Sequence, residues 1–136
     1  MSAKTHETVT ITLDKGKLKC DPDWVHLNWQ TGPKDIRWVF GTMPSNAAGA
    51  AVEFLTSVPA KYPPPTTGTF RPGGVHKGTS HAPASGGSHV HDIVTSGNTN
   101  KGGYFYYEVR LLDAAGSVLA VTDPGGDNQP DPPSHS

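Results

Sequence analysis

The chain has 136 residues, the size of a single domain. Its formal charge of −1 gives no electrostatic basis for holding nucleic acid or an anionic membrane. No apolar run approaches the roughly 20 residues of a spanning helix, and the 34% hydrophobic fraction is gathered into short runs that allow one modest core.

Residues 1–7 lack the apolar stretch of a secretory signal. The chain therefore reads as cytoplasmic if complete and as exported if a signal has been removed. Cys20 is the single cysteine, so no internal disulfide forms, which leans towards a reducing compartment. Thr8-Val9-Thr10-Ile11-Thr12-Leu13 alternates polar β-branched with apolar residues and predicts a strand over 8–13. Asp14-Lys15-Gly16-Lys17 is a hairpin turn, after which Leu18-Lys19-Cys20 resumes extended. Pro22 interrupts the ladder because it has no N–H to donate. Strands follow over 24–28 and 36–40, the second with Ile36, Trp38 and Phe40 on one face.

The pattern then breaks. Ser45 is placed to cap a short helix through Ala47, Ala48 and Ala50 to Phe54. Residues 41–88 as a whole read as a long Pro/Gly-rich insert, with Pro63-Pro64-Pro65 and Gly86-Gly87. A strand is expected over 91–95. The densest β-forming run covers 104–112, with Phe105, Tyr107, Val109 and Leu111 on one face. Tyr104, Tyr106, Glu108 and Arg110 fall on the other. Residues 117–122 form its hairpin partner. Asp123-Pro124-Gly125-Gly126 is expected to end the domain at about 125, leaving 126–136 as a mobile Pro-rich tail. The sum is an all-β sandwich with Greek-key connections.

Three stretches resemble the cupredoxin-like fold. Asp23-Trp24-Val25-His26-Leu27 followed by Ile36-Arg37-Trp38-Val39-Phe40 is similar to the family's early strand pair. His91-Asp92-Ile93-Val94 is similar to its His-Asn-Ile-Val segment, whose histidine ligates copper. Gly103-Tyr104-Phe105-Tyr106-Tyr107-Glu108-Val109 is similar to its Gly-x-Tyr-x-Tyr-x-Cys strand. The resemblance implies a Greek-key sandwich without a blue-copper centre. Val109 stands at the copper cysteine, and no histidine or methionine follows within a dozen residues.

Two groups of residues are candidates for function. His89 and His91 lie two apart, on one face of a strand, with His76 and His81 upstream in the insert. Neutral imidazoles at this spacing chelate Cu, Zn or Ni if a third donor joins them. The alternative is a polar loop whose histidines face water. Trp24, Tyr104 and Tyr106 form the second group, a binding surface if their strand face is open. The insert is expected to dock across that face, with Phe54, Leu55, Tyr62 and Phe70 as lids, which makes the same residues a second small core. Cys20 reads as a buried small residue, and no nucleophile elbow, phosphate loop or carboxylate pair is present. The expectation is a non-catalytic binding or assembly module with no cofactor, meeting a protein partner or a second copy of itself. The competing expectation is a histidine-based metal-binding protein.

Overall fold

The computed structural model describes residues 6–60, 68–76, 80–82 and 90–129. These residues are all-β, with no helix among them. In chain order the strands are β1 (His6–Asp14), β2 (Lys17–Asp21), β3 (Trp24–Leu27), β4 (Asp35–Phe40) and β5 (Gly49–Phe54). Then come β6 (Ser80–Ala82), β7 (Ile93–Val94), β8 (Gly103–Leu112), β9 (Val118–Thr122) and β10 (Gly125–Asn128). They build two mixed sheets. Sheet one has the order β2-β1-β4-β7. Sheet two has the order β3-β10-β8-β5-β6, with β9 also on β8.

Alternation decides the inner faces. Val9 and Ile11 of β1 are fully buried, whereas Thr8, Thr10 and Thr12 between and beside them are exposed. In β4 the apolar set Ile36, Trp38 and Phe40 turns inward, and in β8 Phe105, Tyr107, Val109 and Leu111 do so. Trp38 packs edge-on against Tyr107 at 5.2 Å between ring centroids, with Phe54 against both. Side chains of this size each contribute about 1.5–3 kcal/mol when fully buried, so this cluster is the main cohesive element between the sheets. The two-residue hairpin at Lys15 and Gly16 joins β1 to β2 as expected. After Pro22 the chain leaves sheet one, and β3 opens in sheet two.

Four expectations need correction. The stretch from Ser45 is not a helix. Ala47 and Ala48 hydrogen-bond to Pro44 and Leu112, and Gly49–Phe54 is a strand antiparallel to β8. Ala50 and Val52 are fully buried there, and tertiary pairing along six residues of β8 outweighs alanine's preference for helix. The insert 41–88 is consequently not structureless, since β5 within it is the inner neighbour of β8.

The strand expected over 91–95 is realised only as Ile93–Val94. Thr95 ends the ladder because its hydroxyl, at 2.8 Å, accepts from the Ile36 N–H in place of a carbonyl. Finally, Gly125–Asn128 is a strand between β3 and β8, where a stop and a tail were expected. A Cβ at Gly125 would sit 2.6 Å from the Phe105 carbonyl oxygen and 2.8 Å from the Tyr106 ring. The two glycines are thus close-packing residues of a strand. No helix among the described residues is long and apolar enough to cross a membrane.

Candidate functional site

The outer face of sheet two brings Trp24, Tyr104 and Tyr106 together. Trp24 and His26 point outward from β3, because Val25 and Leu27 point in. The register sets Gly125 and Asp127 of β10 beside them, and Tyr106 and Tyr104 of β8 beyond. With no side chain at Gly125, the Trp24 and Tyr106 rings meet edge to face at 5.7 Å. Asp127 accepts from the Trp24 indole N–H at 2.7 Å and lies 2.9 Å from His26 Nδ1 on the same carboxylate oxygen. The His26 side chain is 75% exposed, so this imidazole is held in place while open to water.

Tyr104 and Tyr106 are not open. Residues 68–76 lie across them as a strap. The Tyr104 N–H donates to the Thr69 carbonyl, and the Arg71 N–H donates to the Tyr104 carbonyl, at 2.9 and 2.8 Å. Phe70 then contacts Tyr104 and Tyr106 at 5.7 and 6.2 Å. Gly103 permits this approach, since its φ of +141° and the Arg71 side chain 2.8 Å from a notional Cβ leave no place for an L side chain. Arg71 Nε also donates to the Gly102 carbonyl at 2.6 Å. Of the lids expected from the sequence, Phe70 covers this face. Phe54 faces the inter-sheet core, Leu55 fastens the strap through its carbonyl, and Tyr62 lies outside the described residues.

His76, the last described residue of this stretch, has a side chain only 2% exposed. Its ring stacks on Phe54 at 5.8 Å, and Nε2 donates to the Lys34 carbonyl at 2.8 Å. That carbonyl also accepts from Asn98, which forms a reciprocal amide pair with Asn128. Burial pulls the His76 pKa below its usual value; the backbone bond and Asp35 act the other way without overcoming it. Both nitrogens are therefore inside the protein and turned away from any ion in solution. His91 is exposed, His81 is aligned with Ala51 in β6, and His89 lies outside the described residues. Among the described residues no three His, Cys, Asp or Glu side chains are grouped to hold a metal.

Cys20 is partly buried against the core and also borders an open groove of about 740 Å³ between β2 and β9, with Thr10, Lys19 and Asp21.

Sequence reasoning named Trp24, Tyr104 and Tyr106, but not Asp127, His26 or Arg71 as their companions. Asp127 follows two glycines that hide the strand it belongs to. No family model matches the chain, and neither a curated protein nor a solved structure is significantly similar to it.

Proposed function

We propose that the protein is a non-catalytic binding or assembly module, a cupredoxin-like Greek-key sandwich that lacks a blue-copper centre. Its contact surface is the outer face of sheet two, where Trp24 and Phe70 form a half-exposed rim above Tyr104 and Tyr106. The observation that carries the reading is the docking of the strap on β8, which extends the aromatic face. Exposed His26 and the Asp127 carboxylate add polar contacts at its margin. Half-exposed aromatic rings beside a few polar groups are the composition of protein contact surfaces.

Site-directed photo-crosslinking tests this reading in the cells that make the protein. A photoreactive residue replacing Trp24 or Phe70 should give a discrete crosslinked product, either to a partner or to a second copy. One replacing Arg37, on the outer face of sheet one, should give none. Equal products from all three positions, or none from any, would refute the assignment.

A further inference from the structure

The strap 68–76 is held in two different ways. Its first part is fixed by main-chain bonds to Tyr104 and by the Gly73 N–H to the Leu55 carbonyl, none of which titrates near neutral pH. Its last described residues are fixed by the fully buried Val75, whose carbonyl accepts from the Thr99 N–H, and by the His76 imidazole, and of these groups only the imidazole titrates in this range. A carbonyl only accepts, so the bond to Lys34 requires the proton on Nε2. Nδ1 is then a bare nitrogen, buried and without a partner.

Among the described residues, three elements face the imidazole. At the start of β4, Asp35 places Oδ1 3.5 Å from Nε2, itself buried and without a hydrogen bond, while Lys34 supplies its carbonyl. From β5 comes the uncharged Phe54 ring. From the loop before β8 comes the neutral amide of Asn98, on the shared Lys34 carbonyl. Asp35 is thus the one charged side chain that these elements direct at the imidazole. It lies on the Nε2 side, so a proton added at Nδ1 has no acceptor.

We propose that His76 is an acid-released latch, whose protonation frees the strap from β8 and uncovers Tyr104 and Tyr106. The inference concerns the strap alone and holds whatever the uncovered face binds. A charged imidazole with an unsatisfied buried N–H is far more stable in water than in this site. The strap gives way before the sandwich does, because besides a few bonds and the Phe70 ring it places one side chain, Val75, in the core, whereas the sheets supply most of that core.

The sign follows from linkage. The folded-state pKa lies below the usual 6.5, so the latch is at full strength above that value. It weakens as pH falls towards the folded-state pKa and changes no further below it.

Hydrogen–deuterium exchange between about pH 8 and pH 5, corrected for intrinsic rates, provides the test. Protection of amides 69–76 and 103–106 should fall relative to 109–112, roughly tenfold for each unit by which the His76 pKa is depressed. His76→Gln keeps an N–H donor for the Lys34 carbonyl but does not titrate, so its strap protection should be independent of pH. Asp35→Asn removes the charge that favours the imidazolium in the closed site, so it should depress the folded-state pKa further and enlarge the acid-induced loss of strap protection. The proposal fails if the wild-type profile is flat, if 109–112 loses protection in parallel, or if His76→Gln keeps the wild-type profile. Should His76→Gln not fold, Asp35→Asn decides, and an acid-induced loss of strap protection no larger than in the wild type overturns the latch.

Discussion

The two halves of β8 share one inner face and have opposite outer faces. Inward, Phe105, Tyr107, Val109 and Leu111 are all fully buried along the strand. Outward, the first half carries Tyr104 and Tyr106, sealed by Phe70 of the strap and flanked by Trp24. The second half carries Glu108 and Arg110, and Arg110 pairs with Glu108 and with Glu53 of β5, 3.0 Å away. Beside it β9 has a bulge. Leu112 pairs with Val118 and Leu111 with Ala120, so Leu119 is the extra residue. Val118 and Val121 are thereby both opposite outward residues of β8, and both are about half exposed. One half of the strand has gained a cover and the other has remained a surface. Alternation assigns a strand its two faces, but what lies on the outer one depends on what distant segments bring to it.

Three substitutions separate these contributions. Phe105→Ala empties a fully buried site under the first half and should lower unfolding stability by about 3–5 kcal/mol. The urea midpoint reads this, and both halves of β8 should lose exchange protection together. Phe70→Ala removes a half-exposed ring from the strap and should cost about 1–2 kcal/mol. Its signature is locality, with protection lost at Tyr104 and Tyr106 and kept from Val109 onward. A uniform loss would mean that the strap is not a separate unit. Arg110→Gln breaks partly exposed ion pairs and should change stability by less than about 1 kcal/mol. Even that difference should vanish in roughly 1 M salt, where charges are screened within about 3 Å. A larger, salt-insensitive effect would mean that Arg110 matters by packing.

The legible parts of the sequence are those where side-chain chemistry alternates. β1, β4 and the inner face of β8 are readable because Val, Ile, Trp and Phe recur at every second residue. β5 and β10 are hidden for the opposite reason. Their inward and cross-strand positions need small residues, and Ala and Gly carry helix or turn associations when read locally. The covering of the aromatic face by the insert was legible from the large apolar residues spread along it. The contacts that make the cover, Thr69 and Arg71 on the backbone of Tyr104, were not. His76 was read as one of several loop histidines, and nothing in its neighbours announces the pocket made by Phe54, Lys34 and Asp35.

The placement of β10 between β3 and β8 bears on how the molecule comes into being. Trp24 and Asp127, which meet across β3 and β10, are 103 residues apart in the chain. β3 is laid down early during synthesis, and its sheet neighbour, β10, emerges from the ribosome last among the described strands. Until then its backbone edge is an unpaired template, and the sheet it belongs to is open at that position. Closing so long a span is entropically slow. The β3 edge is therefore sealed only once Gly125–Asn128 is free to fold, whereas the pairing of β1 with β4 spans far less chain and can form earlier.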